Sequence, residues 1–384
     1  MNVLNVGEKV FVDNSISNAE FHTHQPYTTQ FGNNDEIRIP IPANVSSLPS
    51  RSYLYVEGKL LKDDGNPSTT AKFINNGIAY LFSEIRYEVN GVVVDSVTRV
   101  GLTSTMKGYL SYNAGESLKL QNAGWFPDSD STLLDASGNF SACLPLSMLL
   151  GVFEDYGKIM LNIKQELVLI RSNTDVNAII STSAEEKIQV VLQKIYWRVP
   201  YIVPSLKADL ALSTYVDRDT AIQVAFRSWE THIYPAIPQT NKHTWSIKTS
   251  TGLETPRFII LGFQTGRNGD ITKDMSKFDS CNIRAVEVYF NSARYLYDTL
   301  NVHSTLNHFS SLYEAYADFQ RAYYDKTNES LLSPAKFKTI APVIVIDCSR
   351  QEQVAMTDPV VLMLECHSKL MQTLLLIRRL RIYL

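Results

Sequence analysis

Between residues 80 and 97 the chain reads YLFSEIRYEVNGVVVDSV, and its apolar and polar positions alternate. Ile85, Tyr87 and Val89 fall on one side of an extended segment and Glu84, Arg86 and Glu88 on the other, the period of a strand with one wet face. Asn90-Gly91 follows, then the apolar run Val92, Val93, Val94. An Asn-Gly pair accepts the positive φ that a two-residue turn demands, so the stretch predicts a β-hairpin. The same pattern recurs along the chain. Ile37, Ile39 and Ile41 alternate with Arg38, Pro40 and Pro42, and further runs of β-formers lie at 52–61, 158–170, 188–203, 256–263 and 342–349. Many short strands divided by turn clusters predict a sandwich or barrel rather than an α/β fold. Helical spacing is rare. It is clear in Leu312, Ala315, Tyr316, Phe319, Ala322 and Tyr323, and weaker in Leu102, Met106, Tyr109 and Leu110, where Gly101 and Gly108 soften it.

The hairpin has a distant partner. AVEVYFNSARYL, around Asn291, repeats strand, polar turn and strand in the order found around Asn90. Upstream, YLYVEGKL with Gly58 matches FIILGFQ with Gly262, and IPIP ending at Pro42 matches YPAIP ending at Pro238. Each helix-like segment follows its hairpin. A shared order at an offset of roughly two hundred residues predicts two copies of one β-sandwich domain. The expected division is residues 1–200 and 201–384, joined near RVPYIVPSLKADLALST at 198–215.

Composition narrows the function. A 384-residue chain with 45% hydrophobic residues can bury a large core, and its 20 Tyr and 16 Phe favour sheets. A net charge of −3 offers no global attraction to nucleic acid. Cys143, Cys281, Cys348 and Cys366 are scattered and form no C-x-x-C pair, which argues against a metal knuckle or a disulfide framework. No signal-like apolar stretch is expected at the start, and no apolar run reaches membrane-spanning length.

The search for chemistry yields candidates with stronger structural readings. GFQTGRNGD at 262–270 is Gly-rich but lacks the lysine and following helix of a phosphate loop, so a turn is expected. His22 and His24, two apart, share a strand face and could share a metal as in cupins. No glutamate follows within eleven residues, so a structural role in an N-terminal arm is expected. Asp63-Asp64, Glu185-Glu186, Asp128 and Asp130 read as solvated loop carboxylates, and Trp125, Trp197, Trp229 and Trp245 as core anchors rather than sugar platforms. Arg378, Arg379 and Arg381 form a terminal basic cluster, expected on a solvated strand face. No catalytic, cofactor-binding or metal residue is assigned, and no enzyme activity is expected.

Several of these stretches resemble one family. Asn75-Asn76, Leu81-Phe82-Ser83, Asn90-Gly91, Leu110-Ser111-Tyr112, Leu120-Gln121 and Gly124-Trp125 occur in the order seen in double jelly-roll major capsid proteins of Polinton/Maverick-type elements, adintoviruses, virophages and large DNA viruses. IYWRVPYIVPSLKADLAL looks like the connector between their two rolls, and TPRFIILGFQTGRNGDITKD is similar to the second roll. The resemblance implies an all-β double jelly roll: two tandem eight-stranded antiparallel sandwiches with short helices in loops. It further implies a capsid protein of the virion, a homotrimer tiling an icosahedral shell, with penton or minor capsid proteins as partners and neither specific nucleic-acid binding nor a membrane span. The alternatives are a host-encoded capsid-derived protein and a lectin- or cupin-like jelly roll that binds sugar or metal. The chain departs from the family at LMLECHSKLMQTLLLIRRLRIYL, where an altered or shortened closing strand is expected. Loops at 62–70 and 126–140 are expected on the surface and tolerant of insertion, as after Asp135. The faces around Ile85, Tyr87 and Val89 and around Val286, Val288 and Phe290 are expected in the core.

Overall fold

The computed structural model describes residues 14–129, 133–218, 221–234, 242–247, 256–281, 283–290, 293–294, 308–349, 360–366 and 371–383. The first half contains β1 (Ile16–His24), β2 (Glu36–Ile41), β3 (Ser46–Ser47), β4 (Tyr53–Lys62), β5 (Ala71–Phe73), β6 (Phe82–Val89), β7 (Val92–Thr98), β8 (Asn139–Pro145), β9 (Met160–Leu161), β10 (Gln165–Arg171), β11 (Ile179–Ser181) and β12 (Ile188–Pro204). The second contains β13 (Gln223–Tyr234), β14 (Lys242–Ile247), β15 (Phe258–Gln264), β16 (Ile283–Phe290), β17 (Ala293–Arg294), β18 (Ile344–Asp347), β19 (Val360–Cys366) and β20 (Met371–Tyr383). Helices α1 (Gly77–Tyr80), α2 (Val100–Ser111), α3 (Ala114–Leu120), α4 (Leu146–Leu149), α5 (Gly151–Asp155), α6 (Leu206–Asp217), α7 (Ser310–Tyr324) and α8 (Pro334–Ile340) fill the connections.

The duplication is visible in the sheet orders. In the first half one sheet runs β8-β4-β12 with β1 also on β12, and the facing sheet runs β2-β10-β6-β7. In the second half the orders are β18-β15-β20-β13 and β14-β19-β16-β17. Strand for strand these are the same antiparallel jelly roll written twice. Gly58 on β4 and Gly262 on β15 are indeed counterparts. The Pro42–Pro238 match is not: the strand that takes the place of β2 is β14, and 235–241 lie outside the described residues.

Local chemistry explains each element. Asn90 and Gly91 both have positive φ, 50° and 80°, so the β6–β7 turn is the one an Asn-Gly pair favours. Ile37, Ile39 and Ile41 are fully buried, as are Ile85, Leu167 and Leu169 on the strands beside them. Outside that sheet Arg38 pairs with Glu88 and Glu166, and Arg86 pairs with Glu36 and Glu84. Val168 stands between Arg38 and Arg86 in register and is fully buried beneath this charged layer. On β15, Phe258 to Phe263 are buried on both faces, because Phe258 meets Phe319 and Tyr323 of α7 at 5.1 and 5.6 Å. A strand covered twice shows no alternation, which is why 256–263 reads as a continuous apolar run. Val286 and Val288 are core residues; the Phe290 side chain lies outside the described residues.

The altered or shortened end expected for the C-terminus is not what forms. β20 is thirteen residues long, pairs with β13 over Met371's neighbour Gln372 to Tyr383, and pairs with β15 over Met371–Ile377. It takes the same central place as β12, and the second roll is closed. The stretch at 198–215 is also less of a linker than its composition suggests. Arg198–Pro204 completes β12, and α6 makes the bridge.

Candidate functional site

Asn75, Asn76 and Trp125 of the family-like motifs meet on α2, all twelve residues of which are buried. The Asn75 side chain donates to the Tyr109 hydroxyl at 3.1 Å and accepts from the Phe126 amide at 2.7 Å. Asn76 donates to Ser104 and Thr105 on the helix, at 2.7 and 3.0 Å. Gly101 and Gly108, which weaken the helix as an isolated segment, are where ring systems lie against it. A Cβ at Gly101 would come under 3.0 Å from Tyr80, and one at Gly108 under 3.0 Å from Trp125. Trp125 itself is fully buried. These residues are a packing scaffold and leave no reactive group free.

On its other side α2 meets the second roll, and polar groups of both rolls meet along this seam. Tyr316 of α7 donates to the Tyr109 carbonyl at 3.0 Å, and the Tyr109 hydroxyl donates to the Ser276 carbonyl at 3.2 Å. Thr103 and Thr231 share a hydrogen bond across the seam. Lys107, with a side chain 2% exposed, pairs with Glu154 at 2.7 Å and donates to the Ser147 carbonyl at 2.8 Å. Glu154 also accepts from Tyr324 of α7 at 2.8 Å. Beside it Asp155 pairs with Arg227, whose guanidinium lies 4.0 Å over Tyr323. Apolar side chains of both halves form one continuous cluster around these groups. An interface that is apolar and crossed by hydrogen bonds and buried ion pairs holds two units as one block. None of Lys107, Glu154, Asp155 or Arg227 was singled out by sequence reading. A charged residue destined for burial carries no local signal of it.

Asp95 on β7 lies behind this seam. It is 4% exposed and accepts from the Val152 amide at 3.0 Å, at the start of α5. Burial pushes its carboxyl up to about 6, against hydrogen bonds from the α5 amides and the charge of Lys107. A carboxyl raised in the folded state binds its proton more tightly there than in the unfolded chain, so its contribution is greatest at low pH and is lost as pH rises through about 6. We expect Asp95→Asn, which cannot titrate, to gain stability relative to wild type by about 2–3 kcal/mol between pH 4 and pH 7.5. Paired urea unfolding at both pH values measures this. A difference between the two proteins that is flat with pH rejects the assignment.

The other candidates resolve individually. His22 stacks on Tyr201 with ring centroids 4.1 Å apart, and His24 meets the Tyr201 hydroxyl at 2.9 Å. Burial, then the nearby His22, lowers the His24 pKa. Among the described residues no three His, Cys, Asp or Glu side chains are grouped to hold a metal. Glu186 is drawn down to about 2 by hydrogen bonds from Thr70, Lys62 and Ser68. Asp64 caps the Asn66 amide and Asp128 pairs with Lys336 at 2.7 Å, while Asp130 lies outside the described residues. Trp125, Trp197, Trp229 and Trp245 are all buried. Arg378, Arg379 and Arg381 sit on β20 opposite Ser228, Arg227 and Ala225, with side chains outside the described set. In 262–270, Gly266 and Gly269 take positive φ and Arg267 pairs with Asp279 at 2.6 Å, as a loop turn would. Asp135 is exposed, but its carboxylate accepts from the Ser137 and Asn139 amides, both at 2.8 Å. An insertion directly after it breaks a closed turn rather than lengthening a slack one. Among the described helices none is long and apolar enough to cross a membrane.

Comparison with known proteins agrees with the strand orders. A family model described as double jelly roll-like domain matches residues 71–372. Among solved structures, the Faustovirus major capsid protein aligns with a TM-score of 0.62 at 11% identity, covering 100% of this chain and 92% of that one. A quasi-atomic model of the PBCV-1 virus capsid aligns at 0.61 and 9% identity over 98% and 96%, and the mavirus major capsid protein at 0.58 and 13% over 100% and 91%. At such identities these likenesses establish fold. No curated protein sequence matches.

Proposed function

The chain belongs to the double jelly roll-like domain family, and we propose that it is a major capsid protein that assembles as a homotrimer and tiles an icosahedral shell. The observation that carries this is the doubled roll locked along a paired, apolar seam. One such chain presents two nearly equivalent rolls, and three around a threefold axis present six, a near-hexagonal tile that packs edge to edge. The reading divides the chain near residue 200, with β12 running to Pro204 and α6 as the bridge. It places the protein in the virion capsid, with penton or minor capsid proteins as partners, and gives it no catalytic role.

Uncovered apolar side chains support assembly. Ile16 and Phe21 on β1 are each 50% exposed, Val203 on β12 is 52% exposed, and Leu206 and Leu210 on α6 are 78% and 61% exposed. No residue of α6 is buried. A twelve-residue helix is marginal in water by itself, and surfaces of this kind mark contacts with other chains.

Light scattering on the purified chain is expected to give three times 43.3 kDa, and negative-stain images hexagonal outlines. A strict monomer at micromolar concentration counts against the capsid reading. A trimer that forms no shell with its partners would point to a host-encoded descendant.

A further inference from the structure

β1 of the first roll and β13 of the second are counterparts, and only one of them is covered. Leu54 on β4 is opposite Trp197, and Trp197 is opposite His24. At the same place in the second roll Phe258 on β15 is opposite Ile377, and Ile377 is opposite Trp229. In that register Phe21 takes the position of Phe226, and His22 that of Arg227. Phe226 and Trp229 are each 2% exposed, whereas Phe21 is 50% exposed, and along β1 only His24 is even half-buried. The seam supplies the cover of β13. Asp155 on α5 accepts from the Arg227 amide at 2.7 Å, Thr103 on α2 bonds Thr231, and the Lys107 ammonium lies 5.7 Å from the Trp229 ring. Among the described residues β1 pairs along one edge only, with β12.

The helices differ in the opposite sense. α2 and α7 each follow the hairpin of their own roll. All of α2 is buried, with the second roll closing its outer side. α7 buries Leu312, Tyr316, Phe319 and Tyr323, but Glu314, Arg321 and Ala322 are exposed and Ala315 and Asp318 half-buried. That side of α7 lines a groove of about 560 Å³, walled also by Val345 and Asp347 of β18. The seam thus takes the helix side of the first roll and the strand side of the second. What it leaves uncovered is a strand side on the first roll and a helix side on the second.

We propose that β1 of one copy docks against the α7 groove of the next, repeating between chains the contact that β13 and α2 make within one. This rests on the trimer reading above and assigns the surfaces that the trimer uses. The contact joins two different surfaces, so it runs head to tail and closes only as a ring. Three copies joined in this way place six rolls around the ring, with like junctions within and between chains. Both surfaces carry apolar material for it: Ile16 and Phe21 on the strand, each 50% exposed, and Ala315, Phe319 and Ala322 in the groove.

Light scattering of full-length variants beside wild type, at micromolar concentration, tests this. Phe21→Glu puts a charge on the strand surface, and Ala322→Arg puts a long charged side chain into the groove. Both positions are exposed in the single chain, so each variant should keep a wild-type circular dichroism spectrum while losing the trimer and running at 43.3 kDa. Met363→Glu, at a position 40% exposed on β19 in the other sheet of the second roll, should remain trimeric. Each variant retains the surface that the other lacks, so an equimolar mixture of the two keeps one intact junction and should give a dimer. A trimeric wild type whose Phe21→Glu or Ala322→Arg variant is equally trimeric overturns this contact and leaves the capsid reading standing. So does equal loss of the trimer in Met363→Glu. A monomeric wild type overturns both.

Discussion

Gly151→Ala is expected to leave the protein insoluble or to lower its stability by more than about 3 kcal/mol. Gly151 opens α5 of the first roll, and a Cβ built there would come well under 3.0 Å from the carbonyl oxygen of Arg227 on β13 of the second. The obstacle is backbone in a strand that pairs along its whole length with β20, so no side-chain rotation can relieve it. The rolls would have to part, and the Arg227–Asp155 pair and the Thr103–Thr231 bond would part with them. Gly157, six residues on, is the control. Nothing lies within 4 Å of a Cβ there and its φ is not positive. Gly157→Ala should be neutral or stabilise by about 0.5 kcal/mol. Thermal melts of the two variants decide the matter, and equal melting temperatures would mean that the seam is not as close as described.

Lys107→Ala should be nearly as severe, at about 3–5 kcal/mol. The change removes the cation that Glu154 faces at 2.7 Å, leaves the Ser147 carbonyl unpaired and opens a void against Trp229, whose ring lies 5.7 Å from the ammonium. The larger part of that cost is the stranded Glu154 carboxylate. It follows that Lys107→Met combined with Glu154→Gln should be at least about 2 kcal/mol more stable than Lys107→Ala. Methionine refills the stem, and glutamine still accepts from Tyr324 without carrying a charge. Urea unfolding of the single and double variants provides the comparison. Should the double variant prove the less stable, the pair contributes through its charge and this account of the seam fails.

The division between what was legible and what was not follows from where the information resides. Alternation is a property of neighbours in the chain, so Ile37, Ile39 and Ile41, or Ile85, Tyr87 and Val89, announce their strand and its buried face without any partner. Asn90-Gly91 announces its turn for the same reason, and Leu312, Tyr316, Phe319 and Tyr323 their helix face. Because a duplicated domain repeats such local signals in order, the two rolls could be read before any contact was known.

The seam could not. Asp95, Lys107, Gly151, Glu154 and Arg227 come from separate segments, and each is an ordinary residue until the others arrive. Gly101 and Gly108 look like weaknesses in α2 because helix propensity is local, and the rings of Tyr80 and Trp125 that require them are not. The closing strand was misjudged in the same way. Side-chain alternation along 371–383 is poor, but closure is a matter of backbone pairing, and β13 and β15 supply that from either side. Sequence alone thus determined the all-β class, the turn chemistry and the duplication, since these depend on short-range pattern. Tertiary structure alone decided which charges are buried and which glycines are indispensable, since desolvation and steric contact exist only once distant segments share a space.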